Sequence, residues 1–464
     1  MDRFFRLKEH GTNVRTEIMA GLTTFMTMAY ILALNPNVLS VTGLSWTSIF
    51  LATALAAGIF TVAMGIFVNF PVALAPGMGL NAYFATTVLT SNGTISPEIA
   101  LTAVFISGLI FIVLTVTKVR QMLLTAVPES LKHAITAGIG LFITIIGLKN
   151  SGLLTVAVEN SVTEIPKGIF TDVLGFETVI HMGSLEDNAV VLTIVGIFLI
   201  AILMVMRVPG AILWGIIGTT IIAIIMGEVN VKETLSGQTW APDFGQLNFW
   251  NFDFNGVMEA GLISVVLTFT FVEMFDTFGT LVGTASRAGL MKNEEEGKKR
   301  VGKAMLVDAV AVGGGAMLGT STITAYVESS AGVAQGGRTG LTSVTTGICF
   351  LLALFLSPLV ALVPGSATAA ALVIVGVLMM SSVKHIDFND MVYAIPSFLT
   401  LALMPFTYNI ANGISFGIVS YVLLAVIANV TKKGEQNGGY KVHPLMWILA
   451  ILIILRYVYI GSQG

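Results

Sequence analysis

A chain of 464 residues that is 55% hydrophobic and only 11% charged is not a set of soluble domains, in which about a quarter of the residues carry charge. Its net charge of −3 says nothing about nucleic acid, and the sequence holds no basic stripe interleaved with aromatics that would call for it. Three stretches, 18–97, 339–383 and 391–431, hold no Asp, Glu, Lys, Arg or His, and each is long enough for several membrane crossings of about 20 residues.

Spans in lipid must satisfy their own backbone hydrogen bonds, which leaves helices or closed barrels, and continuous apolar runs without alternation select helices. In chain order the apolar runs fall near 18–38, 46–69, 72–91, 98–117, 131–149, 189–206 and 210–227. A second series falls near 260–286, 301–319, 321–335, 341–361, 364–383, 391–407 and 410–430. The expectation is an all-α polytopic membrane protein of fourteen transmembrane spans. A further apolar piece at 445–460 is short for a span and either crosses or lies in the interface. Segment 1–17 is charged and mixed in sign and lacks the core of a secretory signal, so the first span is expected to be retained.

The charges between spans agree with this count. Arg3, Arg6, Lys8 and Arg15 precede the first span, Lys118, Arg120 and Lys132 separate the fourth and fifth, and Arg207 separates the sixth and seventh. Lys292, Lys298, Lys299, Arg300 and Lys303 follow the eighth, Arg338 the tenth, Lys384 the twelfth, and Lys432 and Lys433 the fourteenth. Alternating spans put all of these on one side, which the positive-inside rule makes cytoplasmic, N-terminus included. The long opposite loops, 150–188 and 228–259, are acidic. Two series of seven place the second in inverted orientation, a pattern of secondary transporters.

Two of the spans are irregular. The third opens with Pro71-Val72-Ala73-Leu74-Ala75-Pro76-Gly77-Met78-Gly79-Leu80-Asn81, where Pro76 forces Ala75 into an extended conformation and two glycines oppose a helix. At the matching place in the second half, Gly319-Thr320-Ser321-Thr322-Ile323-Thr324-Ala325-Tyr326 favours a short strand. Each continues into a short stretch of small and apolar residues fit for half a helix. Paired interrupted spans point to a transport site, because half-helix N-termini offer free N–H groups in mid-membrane.

Ionisable groups inside spans are costly and mark function. Glu273 and Asp276 lie three apart on one face of the eighth span, Asp308 is in the ninth, and Glu328 follows the strand of the tenth. Glu273 and Asp276 either touch the solute or bond to nearby N–H and hydroxyl groups that hold helices together. Glu328 is placed to contact a ligand, to cap the half helix, or both. Asn81 either caps its half helix or bonds the ligand. Asp308, followed by Gly313, Gly314 and Gly315, has a structural or a proton-relay role.

Other signals are weak. Gly77-x-Gly79-x-x-Ala82 matches a dinucleotide fingerprint by letter but sits inside an apolar span rather than a βαβ unit. Gly297-Lys298 is followed by Lys299, so there is no phosphate-binding loop for ATP, and His133 reads as interfacial. The five His and the single Cys349 form no metal-ligand pattern, and one cysteine permits no intrachain disulfide. No paired nucleophile and base is visible, which argues against an enzyme. Besides a transporter, the pattern leaves a passive channel or a sensor open.

The run Ala75-Pro76-Gly77-Met78-Gly79-Leu80-Asn81-Ala82-Tyr83-Phe84-Ala85 resembles the third-span signature of the AzgA-like purine permeases, a branch of the nucleobase–cation symporters. Segments 21–30, Phe275-Asp276-Thr277-Phe278-Gly279-Thr280, 319–332, Gly337-Arg338-Thr339-Gly340 and Asn412-Gly413-Ile414 agree, in order, over essentially the whole chain. One departure is Glu273, where the family pattern carries Asp. The resemblance implies fourteen spans as 7+7 inverted repeats, with short strands in the third and tenth. A core domain would comprise 1–130 and 256–362, and a gate domain 131–255 and 363–464 with the C-terminal tail. Substrate would bind in the core and move by an elevator motion, often in dimers, in the cell membrane. Glu273 and Glu328 would hydrogen-bond the purine edge, with Asn81 and the backbone near Gly77 close by and Asp276 in support. Phe25, Tyr83 and Tyr326 are the aromatics available to stack on the base. The implied activity is import of adenine, guanine or hypoxanthine, with no cofactor and with the proton as coupling ion.

Overall fold

The computed structural model describes residues 2–91, 93–117, 122, 126–156, 180–236, 239–259, 263–290, 294–431 and 439–459. Asn13 opens helix α1 (Val14–Met28) by accepting from the Thr16 N–H, and the chain kinks at Ala29–Tyr30 into α2 (Ile31–Leu39), which holds Pro36. Helix α3 (Trp46–Ala63) widens into a π turn over Met64–Val68 and stops at Asn69, whose φ of 54° is left-handed, a conformation asparagine tolerates. Strand β1 (Leu74–Pro76) leads through Gly77 into α4 (Met78–Thr90), followed by α5 (Pro97–Val116). Then come α6 (Glu129–Asn150), a hairpin of β2 (Leu154–Val156) and β3 (Ile180–Met182), α7 (Asn188–Val205) and α8 (Ala211–Ile225).

The second half repeats the order of the first. Helices α9 (Ile263–Arg287) and α10 (Glu294–Leu318) precede strand β4 (Ile323–Ala325), the short α11 (Ser329–Ala334) and α12 (Gly340–Leu352). Three more helices follow, α13 (Gly365–Met380), α14 (Met391–Phe406) and α15 (Ile410–Val430), and then α16 (Pro444–Tyr459). Among the described residues, nine helices are long and apolar enough to cross a membrane, and α8, α14 and the start of α16 are shorter apolar helices. Every run read as a span from the sequence coincides with a helix or a strand–helix unit. The first, Val14–Thr42, counts as one of the nine although a turn at Ala29–Tyr30 divides it into α1 and α2.

Packing falls mainly into two groups. Helix α12 lies against α1 and α3, and α10 against α5, while α6 packs with α13 and α14, and α7 with α8 and α13. Residues 244–254 join the first group. The Trp250 N–H donates to the Met317 carbonyl at 2.9 Å, the Asp253 N–H to Thr102 Oγ1 at 2.8 Å, and the Phe105 ring stacks on Phe252. Helix α16 runs antiparallel to α15 and is tied to it at both ends. Asn429 exchanges two hydrogen bonds with the Tyr440 backbone, and the Tyr457 hydroxyl donates to Asn412 Oδ1 at 2.7 Å.

Lipid tails offer helices no hydrophobic gain on association, so close backbone approach matters more than in water. Gly58 and Gly65 of the α3 rod face Gly347 and Gly340 of α12, each pair seven residues apart on its own helix. A Cβ at Gly347 would lie 2.7 Å from the Gly58 carbonyl oxygen, and Gly340 and Gly65 leave no room for a Cβ on either side. Replacing Gly347 by valine is expected to force the two helices apart at a cost of about 1–3 kcal/mol. A lower melting temperature of the detergent-purified protein, with less protein in the membrane, is the measurable result.

Candidate functional site

Strands β1 and β4 come from the two halves and pair antiparallel, with Leu74 opposite Ala325, Ala75 opposite Thr324 and Pro76 opposite Ile323. The ladder extends by Gly77 N–H to the Thr322 carbonyl at 2.9 Å and Tyr326 N–H to the Ala73 carbonyl at 3.0 Å. Both strands are fully buried, so their outward groups need partners. Thr61 Oγ1 accepts from the Leu74 N–H at 2.8 Å and Ser329 Oγ from the Ala73 N–H at 3.0 Å, while the Ser343 hydroxyl bonds toward the Phe70 and Val72 carbonyls. Gly77, extended at the start of α4, has no space for a side chain, since a Cβ there would meet Thr324 Cγ2 at 2.7 Å. The ladder thus ends in two half helices, α4 and α11, at its crossing point.

Glu328 sits at the start of α11 but in helical conformation, and its side chain makes no capping bond. The capping role that the sequence leaves open is therefore not the one adopted. Its half-buried carboxylate instead accepts from the Tyr30 hydroxyl at 2.8 Å, so the kink of the first span supplies its partner. Glu273, 1% exposed, accepts at Oε1 from the Thr277 hydroxyl at 2.9 Å. Asp308, wholly buried, has Oδ1 3.3 Å from the same hydroxyl, and Thr324 of β4 is 2.8 Å away. Thr277 carries one hydroxyl hydrogen, so it serves one carboxylate at a time. Glu273 and Asp308 are thereby gathered with β4 around a single oxygen.

Asn81 does not open its half helix, since the first position belongs to Gly77. Its carboxamide enters a buried relay whose polarity can be traced. Thr53 donates to the Ile49 carbonyl at 2.6 Å and so can only accept from Asn35 Nδ2, 2.7 Å away. The second hydrogen of that amide goes to Thr320 Oγ1 at 2.9 Å, which leaves Asn35 Oδ1 to accept from Asn81 Nδ2 at 2.6 Å. Asn81 Oδ1 is left buried as an acceptor with no hydrogen-bond partner among the described residues.

The aromatic candidates differ. The Tyr326 hydroxyl is committed to the Pro76 carbonyl across the ladder. Phe25 is half-buried and edge-on to Phe350, and Tyr83 is edge-on to Phe269 at 5.0 Å. Asp276 lies on α9, and its side chain falls outside the described residues. His133 lies away from the site, its ring 4.9 Å from that of His385. Among the described residues no group of three His, Cys, Asp or Glu is placed to hold a metal. Sequence reasoning missed Tyr30, Asn35, Thr53, Thr277 and Thr320. Of these, Thr277 alone carried a local signal, one helical turn beyond Glu273 on the same face.

A family model described as a permease family matches residues 15–416. The adenine permease AdeP of Escherichia coli is 39% identical over 464 residues, covering 100% of this chain and 97% of that one. The guanine/hypoxanthine permease PbuO of Bacillus subtilis is 40% identical, covering 97% of this chain and 99% of its own length. In fold, the chain is similar to the transmembrane domain of the cyanobacterial bicarbonate transporter BicA, with a TM-score of 0.57 at 17% identity over 89% of this chain and 96% of that one.

The shared hydroxyl makes a stability prediction independent of any solute. Thr277→Val keeps the side chain's shape but leaves two buried carboxylates and Thr324 without their common partner. A loss of about 1–3 kcal/mol is expected, read as a lower melting temperature in detergent against wild type.

Proposed function

The chain belongs to the permease family and is a transporter rather than an enzyme, and from that premise we propose that it imports adenine, guanine or hypoxanthine by proton symport. The observation that carries this reading is the buried crossing of β1 and β4, which brings two half helices together beside Glu273 and Glu328. A purine is a flat base with donors and acceptors on its edge. Glu273 and Glu328 accept from its N–H groups, with Tyr30 holding the second carboxylate in place. Asn81, turned by the Asn35 relay, adds a third acceptor close to the Gly77 backbone. Phe25 offers a stacking face, Asp276 supports the site, and Tyr326 acts through the ladder. Acceptors in this number suit a neutral, donor-rich solute and disfavour an anion.

Coupling follows from the carboxylates. Glu273 and Asp308 around one hydroxyl repel when both are charged, so this pair is a place to hold a proton that arrives with the base and leaves with it. The two packing groups act as core and gate, with 244–254 moving with the core, and the core slides against the gate as an elevator in the cell membrane. Repeated element order and the antiparallel ladder support 7+7 inverted repeats of fourteen spans; the Lys and Arg between spans favour a cytoplasmic N-terminus, and a homodimer is the assembly that the family resemblance suggests. Helix α16, lying along α15 from end to end, adds a further crossing. Its 16 residues reach about 24 Å at helical rise. Reporters fused to the two termini are then expected on opposite sides of the membrane; fluorescence from cytoplasmic reporters at both ends counts against the extra crossing.

Uptake of radiolabelled adenine, guanine and hypoxanthine in cells lacking purine transport tests the substrate. Saturable uptake that unlabelled purines compete and that collapse of the proton gradient abolishes is expected. Conductance without saturation would instead mark a channel. Glu328→Gln and Glu273→Gln are each expected to lower uptake more than tenfold with the protein still in the membrane, since each replaces a charged acceptor by a neutral amide that turns an NH2 toward the donors of the base. Asp308→Asn is expected to impair coupling or folding more than binding, seen as base binding that survives without proton-driven accumulation.

A further inference from the structure

We propose that Glu17, a buried acid with no place in the transport steps above, is a positioning residue that fixes where Glu328 stands. This rests on the reading of Glu328 as a group that touches the base.

Glu17 lies one turn into α1 and is fully buried. Its carboxylate does not serve its own helix. It accepts from the N–H groups of Arg338 at 2.8 Å, Thr339 at 3.2 Å and Thr342 at 3.2 Å, and from the Thr342 hydroxyl at 2.6 Å. These groups form the start of α12, where a negative charge faces the positive end of the helix. Asn69 Oδ1 takes the Gly340 N–H at 2.7 Å and Thr339 Oγ1 the Leu341 N–H at 3.3 Å, so the entry to α12 is saturated with acceptors. Such a cap holds a helix end, but here it also holds what comes before it.

What comes before it is α11. At six residues this helix is too short to be stable by itself. Arg338, whose backbone Glu17 grips, turns its guanidinium back so that Nη1 donates to the Val333 and Gly337 carbonyls, closing the end of α11. The Gly337 N–H completes the turn by bonding to the Gly332 carbonyl at 3.0 Å. Gly332 lies flat on α1, where a Cβ would come within 2.6 Å of the Ala20 carbonyl oxygen. The far end of α11 is held by Tyr30 on Glu328 and by Ser329 on β1. Both ends of the arm that carries Glu328 are therefore referenced to the first span, one through Tyr30 and one through Glu17. Thirteen residues separate these two anchors in sequence, about 20 Å along a helix. A carboxamide at position 17 would keep one acceptor oxygen and turn an NH2 toward N–H donors, so the Arg338 turn would loosen while Glu328 itself stays intact.

The test is Glu17→Gln in the full-length protein, read by uptake kinetics and by a cysteine reporter. With Cys349→Ala as background and Ser330→Cys on α11, maleimide labelling of membranes reports how firmly the arm is held. The expected results are a KM for purine raised about tenfold, a maximal rate per transporter changed less than twofold, partial recovery in Glu17→Asp, and faster labelling at position 330. The KM effects of Glu17→Gln and Tyr30→Phe should be less than multiplicative, since both act on one arm. If Glu17→Gln fails to reach the membrane, Thr342→Val removes one of the four bonds more mildly, with about a threefold rise in KM expected. An unchanged KM, or a fall in maximal rate that only follows protein amount, overturns the proposal. Should wild type carry none of the three bases, the substrate reading fails and labelling alone decides: acceleration by Glu17→Gln supports the clamp, and an unchanged rate overturns it.

Discussion

A strand laid inside a membrane protein exposes polar backbone on both edges, and no water is at hand in the hydrocarbon to satisfy it. The three-residue pairing of β1 with β4 meets that constraint by drawing partners from all around it. One edge of each strand is used by the other, and on the β1 side the Thr61 and Ser329 hydroxyls accept from the Leu74 and Ala73 N–H groups while Ser343 donates toward the Phe70 and Val72 carbonyls just before the strand. Each of those hydroxyls belongs to a different helix, so the ladder fixes α3, α11 and α12 relative to one another. Remove the pairing and several helices lose a polar anchor at once, because an unpaired buried backbone group costs about 1–3 kcal/mol by itself.

The same constraint explains why the acidic groups cluster where they do. A carboxylate in a span needs donors, and irregular backbone is where donors and hydroxyls are dense. Thr324 is both a strand residue and the partner, at 2.8 Å, of the Thr277 hydroxyl that Glu273 and Asp308 share. The ladder and the acids are thus one construction: β4 supplies the scaffold on which α9 and α10 bring their carboxylates together. The half helices, the ladder and the acid pair therefore form one connected construction, with no long path between them.

Much of the scaffold was legible from local chemistry. Pro76 and Gly77 disallow a helix whatever surrounds them, and the Thr and Ile density of 320–324 favours extension, so the paired broken spans could be read from composition alone. The acids were legible for the same reason, since a charge in an apolar run announces itself. What stayed hidden was partnership. Tyr30 and Glu328 are 298 residues apart, and Asn35 and Thr320 are 285 apart. No periodicity encodes such a choice. Asn81 illustrates the limit well: its residue type allowed a cap or a ligand contact, and only the donor count at Thr53 and Asn35 decides which of its atoms is left without a partner among the described residues. The apolar run near 445–460 fits a short span and an interfacial helix equally, and its contacts with the two ends of α15 at Tyr440 and Tyr457 are likewise partnerships that no local pattern encodes.

The α1–α3–α12 group is held by contacts that leave little slack. Glycine backbones touch between α3 and α12, and polar caps from the buried Glu17 and the half-buried Asn69 hold the entry to α12. Steric contact resists compression but not separation, whereas a charge-assisted bond resists separation but tolerates small shifts. Used on the same helix, the two leave it few ways to move. The short helix α11 has almost no glycine contact except at Gly332, so its position depends more heavily on the polar anchors at its ends. It is also the element that carries Glu328. The least self-sufficient helix of the group thus carries an acid of the candidate site, and its geometry is set by residues that need never touch a solute.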